Sequence, residues 1–183
     1  MGKIYQTIDQ QLTDWLRKQH LFFVATAPSG SGGSINCSPK GGDTFRVLGG
    51  SDVAYQDLTG SGVETVAHLR DNGRIVLMFC AFEGPPRIVR LHGRGTAIHR
   101  DEAEFAALAR HFPAHIGTRS IIRVRLHRIS DSCGFAVPTF EFTGNRDTLD
   151  RWSENKGEEQ LQQYREANNA LSIDGLPGLR DDA

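Results

Sequence analysis

Cysteine is scarce in this chain, three residues in 183, and Cys37, Cys80 and Cys133 lie far apart. An odd, dispersed set builds no disulfide framework and fits free thiols in a reducing compartment. An excess of one charge is also missing: 21 Lys+Arg stand against 22 Asp+Glu, a formal net charge of −1. That balance speaks against a dedicated nucleic-acid binder, whose phosphate-driven affinity needs basic residues in surplus. Long apolar runs are absent too. Residues 21–39 carry no charge, but Pro28 and the Gly/Ser run from Ser29 to Ser34 interrupt them, so they cannot form a spanning helix. The first ten residues are polar, without the apolar stretch of an export signal. These absences predict a soluble, cytoplasmic protein with neither nucleic acid nor membrane as partner.

Several catalytic signatures are missing as well. No Gly-Lys-Ser/Thr ending marks a phosphate loop, no Gly-x-Gly-x-x-Gly joins a strand to a helix, and no Gly-x-Ser-x-Gly forms a nucleophile elbow. His111 and His115 are four apart, yet Pro113 between them spoils a shared helical face, and no Cys or carboxylate stands at metal spacing. Neither hydrolysis nor a zinc site is expected.

What is present is a globular composition, 38% hydrophobic and 23% charged. A chain of this length suits one domain that buries roughly 70% of its unfolded surface. Ile8, Leu12, Trp15 and Leu16 share one face of a 3.6-residue period, and Thr7 and Gln10 have capping-box spacing, which predicts a short amphipathic helix. Strands are predicted over 21–27, 35–38, 45–48, 53–55, 74–82, 87–100 and 120–129. Gly49 to Asp52 reads as a hairpin turn, and Gly93 and Gly95 as a bulge or barrel bend. Helices are predicted over 62–72 and 101–111, and a polar helical tail from Asp147. Many short strands and few helices predict a mainly β architecture with peripheral helices, a small closed or partly closed barrel. The expected division is a barrel over 1–146 and a C-terminal helical extension over 147–183, packed on the barrel or on a second copy.

Charge is segregated along the chain. Residues 87–128 hold nine Arg and no Lys against three acids, whereas residues 141–183 hold ten acids and five bases. The two regions could complement each other, or the basic strands could hold an anion, for which the planar arginine fork is suited. Three short segments have the chemistry of an anion cradle. Ser38-Pro39-Lys40-Gly41 offers a hydroxyl, an ammonium and backbone N–H groups at a strand end. Gly60-Ser61-Gly62 feeds a helix N-terminus, where free N–H groups and the dipole favour a phosphate. Arg87-Ile88-Val89-Arg90 opens the basic strand, although alternation places its two arginines on opposite faces.

Taken together, Ile35 to Gly41, Tyr55 to Thr65, Arg74 to Phe79 and Pro86 to Gly93 resemble the pyridoxamine 5′-phosphate oxidase-related flavoproteins. The likeness is to an uncharacterised branch with Ser-Pro-Lys-Gly and Gly-Ser-Gly-x-Glu-Thr signatures, and Cys133 to Pro138 and Ser172 to Pro177 extend it along nearly the whole chain. The resemblance implies a split β-barrel of the FMN-binding type, a homodimer with FMN at the subunit interface, and an FMN-dependent oxidoreductase acting on a small molecule with NAD(P)H as a candidate donor. It also implies cofactor-binding roles for Asn36, Ser38, Lys40, Gly41, Ser61, Gly62, Thr65, Arg87 and Arg90. Related split barrels make deazaflavin and haem the alternative ligands, and a flavin- or haem-binding carrier or sensor without turnover the alternative function. The chain departs from the oxidase pattern in three places. Ile35 stands where the oxidase has a leading arginine, and Glu64 and Thr65 replace its phosphate-binding Arg-Lys pair, leaving Lys40, Arg87 and the helix N-terminus to hold the phosphate.

Overall fold

The computed structural model describes residues 2–179, so residues 180–183 of the expected C-terminal extension lie outside the described residues. Eight strands form one antiparallel sheet: β1 (Ile4–Tyr5), β2 (Leu21–Thr26), β3 (Asn36–Gly41), β4 (Phe45–Gly49), β5 (Asp52–Leu58), β6 (Arg74–Cys80), β7 (Ile88–His99) and β8 (Thr118–Ser132). Their order is β3-β2-β6-β7-β8-β5-β4, with β1 pairing the far end of β8. Four helices accompany them: α1 (Gln10–Arg17), α2 (Glu64–Asn72), α3 (Phe105–Ala109) and α4 (Thr148–Asn168). No helix among the described residues is long and apolar enough to cross a membrane.

The sheet curls because its two ends share one core. Phe22 of β2 sits 5.7 Å from Tyr55 of β5, and Phe45 of β4 sits 4.9 Å from Phe79 of β6, ring centre to ring centre. Those strands are far apart in the sheet order, so their rings can meet only across a rolled interior. Alternation supplies the lining: Phe22 and Val24, Leu77 and Phe79, Val89 and Leu91, Ile122 and Val124 all point inward and are buried. Truncating a large residue of this set, Phe79 for example, would cost about 3–5 kcal/mol. The edge strands β3 and β4 do not pair with each other. The short link from Gly42 to Thr44 joins them instead, with Gly42 at φ +68, a conformation that glycine adopts without penalty. Thr44 Oγ1 donates to Gly41 O and Gln56 N donates to Thr44 O, which pins the link.

Helices plug the two ends of the interior. Ile8, Leu12 and Leu16 at α1 join the core, as their spacing predicts. The expected cap is wrong in detail: Asp9, not Thr7, accepts from Leu12 N at 2.8 Å, and Gln10 turns to Asp14. A carboxylate two positions closer to the helix, at its N-cap, is the stronger acceptor there. From α2, Val66 and Leu69 enter the same core, and Gly73 ends the helix in the left-handed region. The predicted bend in β7 is a register shift between His92 and Gly93. A Cβ on Gly93 would come 2.5 Å from Arg125 O, so glycine is needed for that close approach.

The segregated charges meet in the fold. Arg100 pairs with Glu158 of α4 at 2.5 Å, and Arg165 of α4 donates to Thr59 Oγ1 at 2.9 Å. The α4 helix is interrupted at Gly157 (φ 67, ψ 173), so two helical runs lie against the barrel. Beyond it, residues 169–179 fold back on themselves, with Leu171 bridging Pro177.

Candidate functional site

Strand β3 orders the predicted residues by parity. Opposite Thr26, Val24 and Phe22 of β2 stand Asn36, Ser38 and Lys40, which share the inward face, while Cys37, Pro39 and Gly41 point outward and are exposed. Asn36 Nδ2 donates to Thr26 Oγ1 at 3.1 Å and to Thr65 Oγ1 at 3.0 Å. Thr26 Oγ1 in turn lies 2.9 Å from His68 Nδ1. A polar chain thus runs from β3 through β2 to α2. His68 is buried, and burial holds its imidazole below the usual histidine range, against the pull of Asp174, Glu64 and Asp71. Among the described residues its Nε2 has no hydrogen-bond partner, and the Tyr55 hydroxyl is buried nearby. Burial, followed by the nearby Asp57 charge, pushes that hydroxyl well above the normal tyrosine value.

Beside this chain opens a groove of about 420 Å³, lined by Ser34, Ile35, Asn36, Cys37, Ser61, Gly62, Glu64 and Ile173. The fold therefore brings three predicted residues, Asn36, Ser61 and Gly62, to one place, with Thr65 one hydrogen bond behind them. The C-terminal loop forms one wall. Ser34 donates to Asp174 through both its backbone N (2.7 Å) and its Oγ (2.9 Å), and Ile173 N points to Glu64 Oε1 at 3.4 Å.

The remaining predicted residues are elsewhere. Lys40 faces the interior, 3.9 Å from Asp57 Oδ1. Asp57 is buried and accepts from Arg119 Nε at 2.7 Å and Ser120 Oγ at 3.0 Å. Burial pushes its carboxyl up, but Arg119 and Lys40 more than reverse this, and it stays below the usual carboxylate value. Arg119 also donates to Asn169 Oδ1 at 2.9 Å, tying the tail to the barrel. Ser38 and Gly41 do not line the groove.

Arg87 and Arg90 diverge, as alternation requires. Arg87 donates to the Tyr5 hydroxyl at 2.6 Å, lies 3.3 Å from Asp131 Oδ2 and sits over the Trp15 ring. It borders a second, largely apolar cavity of about 670 Å³, beside Trp15, Phe82 and Phe140. Arg90 donates to Ser132 Oγ at 3.0 Å from the outer face of β7.

A curled antiparallel sheet plugged by short helices, with a polar groove at one edge strand, defines a small split-barrel protein. The comparisons agree with that class and give its family. The pyridoxamine 5′-phosphate oxidase family model matches residues 8–133. A curated relative from Aspergillus flavus, the pyridoxamine 5′-phosphate oxidase family protein ustO, is 40% identical over 198 residues, covering 98% of this chain and 78% of the relative. The chain belongs to the pyridoxamine 5′-phosphate oxidase family. Among solved structures, a variant of Group A Streptococcus HupZ aligns with a TM-score of 0.54 at 23% identity, covering 68% of this chain and 99% of that one. A pyridoxamine 5′-phosphate oxidase-like protein from Lactobacillus delbrueckii aligns with the same TM-score at 15% identity, over 69% of this chain and 98% of that one. A protein from Mesorhizobium loti described as FAD-binding aligns at 0.50 and 11% identity, over 72% of this chain and 96% of that one. At these identities the structures speak for the fold alone.

The groove fits part of a flavin mononucleotide and not the rest. Ser34, Asn36 and Ser61 offer hydrogen bonds suited to a heteroaromatic ring and a hydroxylated chain. Among the described residues no Lys, Arg or His lines it, and Lys40 and Arg87 are engaged elsewhere. It carries the Glu64 carboxylate instead, with Asp174 alongside. Two like charges 4 Å apart near a protein surface repel by about 4 kcal/mol. In the sequence, Glu64 stands out only as a replacement for a phosphate-binding arginine. That its side chain folds back over Gly62, and that Asp174 closes the groove from far along the chain, had no local signal.

Proposed function

We propose that this chain is a flavin-dependent oxidoreductase that works as a homodimer. The flavin sits in the groove at the start of β3, near the seam between two copies, and the substrate is a small organic molecule. FMN is the flavin that the family resemblance implies, and NADH or NADPH is the candidate electron donor. The observation that carries the reading is the convergence of Asn36, Ser61 and Gly62 on one open groove in a chain of this family. The name of the Mesorhizobium loti neighbour, a FAD-binding protein, agrees with it. When bound, a flavin supplies the hydride and electron chemistry, and the protein supplies binding, orientation and electrostatics. Asn36 is fixed by two threonine hydroxyls and so presents its amide in one orientation. The C-terminal loop is held against Ser34 by two hydrogen bonds and supplies one wall of the groove. The uncovered outer face of β2, β6 and the first half of β7 is where the second copy would pack.

The test is the absorption spectrum of the purified protein, then heat release and mass identification of the chromophore, then its reduction by NADH and NADPH. The expected result is a bound flavin reduced faster than the same flavin free in solution. A colourless protein whose thermal stability is unchanged by flavins, deazaflavin or haem overturns the reading, since only a ligand that binds the native state raises it. The second reading is a carrier or sensor without turnover. It is favoured by the groove's polar side chains, whose one hydroxyl–carboxylate pair among the described residues, Ser34 with Asp174, has no histidine or lysine in the lining to serve as base beside it. A bound flavin that nicotinamides reduce no faster than free flavin selects it, and a Soret band replaces flavin with haem.

A further inference from the structure

We infer that the groove takes a flavin lacking its phosphate, a riboflavin-type ligand with an uncharged ribityl chain, and that Glu64 is the residue that selects it. The inference rests on the flavin reading above and goes further by naming the form of the ligand. Glu64 is the first residue of α2, and its side chain turns back over the Gly-Ser-Gly turn instead of running along the helix. A Cβ placed on Gly62 would stand 2.4 Å from Glu64 Oε2, so the carboxylate lies directly against that turn. The N-cap, Val63, offers no side-chain acceptor to the helix. The free N–H groups and positive dipole end that would attract a phosphate therefore already face a carboxylate of the chain's own.

The second wall reinforces the first. Asp174, gripped by Ser34 through two hydrogen bonds, adds another negative charge on the side where Ile173 borders the groove. Three cations that could offset these acids have other partners. Lys40 faces Asp57 inside the barrel, Arg119 is buried against Asp57 and Asn169, and Arg87 belongs to Tyr5 and Asp131 at the other cavity. Among the described residues, a phosphate dianion in the groove would meet a repulsion that the buried Arg119, which feels the Glu64 charge without lining the groove, only partly offsets. A ribityl hydroxyl there would instead donate to the Glu64 carboxylate, a charge-assisted hydrogen bond.

The experiment titrates the full-length protein, freed of bound chromophore, with riboflavin and with FMN at two ionic strengths, read by quenching of flavin fluorescence. Riboflavin is expected to bind about 10-fold more tightly than FMN, and FMN affinity to rise with salt as the repulsion is screened. Glu64→Gln is expected to close most of that gap, about fivefold, by strengthening FMN while riboflavin changes less than about twofold. Retained riboflavin binding shows that the variant is folded. Should it fail to fold, the salt dependence of the unaltered protein decides alone. FMN binding as tightly as riboflavin or more so, and weakening with salt, means that cations hold the phosphate; this overturns the inference and leaves the flavin reading standing. If neither flavin binds, the flavin reading itself fails.

Discussion

The two halves of the sheet carry similar apolar residues on their outer faces and treat them differently. Over β5, β8 and the second half of β7, the outward residues Ala54, Ile121 and Ile98 are sealed beneath Leu108 and Phe112, on α3 and the turn that follows it. Over β2, β6 and the first half of β7, the outward residues Phe23, Ala25, Val76, Met78 and His92 remain partly exposed. They are contiguous across the ladders: Phe23 stands beside Met78, Met78 beside Arg90, and Val76 beside His92. One half of the barrel has its cover encoded in its own chain, and the other has a laid-out apolar face with no helix on it among the described residues. The groove borders the uncovered half, since β3 flanks β2 there. A second copy on this face would lie beside the groove without disturbing the interior.

The sharpest way to break the contrast is to attack what holds the covered half to the tail. Asp57→Ala strips Arg119 of its buried partner, and an uncompensated buried charge of this kind costs about 3–5 kcal/mol. Urea denaturation followed by circular dichroism should show that loss. A change under about 1 kcal/mol would mean that Arg119 finds water or Asn169 sufficient. A paired experiment then compares the faces. Ile121→Ala should destabilise by about 2–5 kcal/mol with the oligomeric state unchanged. Met78→Glu should leave the unfolding free energy of the isolated chain within about 0.5 kcal/mol yet shift sedimentation from dimer to monomer. If Met78→Glu unfolds the chain or leaves sedimentation unaltered, the two faces are not different in the way described.

The smallest effect concerns pH. Burial keeps the His68 imidazole below its ordinary 6.5 in the folded chain. Between that lowered value and 6.5 the unfolded chain binds more protons, so stability is full above 6.5 and declines as pH falls below it. His92 is lowered as well, by burial and then by His127, Arg128 and Arg90, and adds to the same slope. Replacing His68 with Asn should flatten the decline of melting temperature between about pH 6.5 and 5 without abolishing it. An unchanged slope would assign the whole decline to His92 and the carboxylates.

Much of the barrel was legible because its signal is local. The alternation of Ile122, Val124 and Leu126 with Arg123, Arg125 and His127 marks β8, and the Gly-rich turn at 49–52 marks the β4–β5 hairpin. β1 has only two residues, too few for any period to show. The predicted helix at 101–111 shortened to five residues, because its first residues form turns and Glu102 spends its carboxylate on His99 N. Within the site, the strand predicted over 35–38 runs on to Gly41, so Asn36, Ser38 and Lys40 share one face, which the shorter prediction did not contain. What Lys40 would touch was not legible, since Asp57 and Arg119 are 62 residues apart and meet only once β5 pairs β8. The partners of Arg87 were hidden for the same reason: Tyr5 and Asp131 arrive from the β1–β8 pairing.

Pro39 sits in the middle of β3, a free edge of the sheet. Having no N–H, it gives an incoming strand no donor at the centre of that edge. The opposite edge, β4, is five residues long and ends in a register shift between Val47 and Gly49. An open barrel with two bare rims is a template for runaway strand addition, and here both rims are blunted. Copies of this chain are thereby steered away from fibre-like growth along either rim.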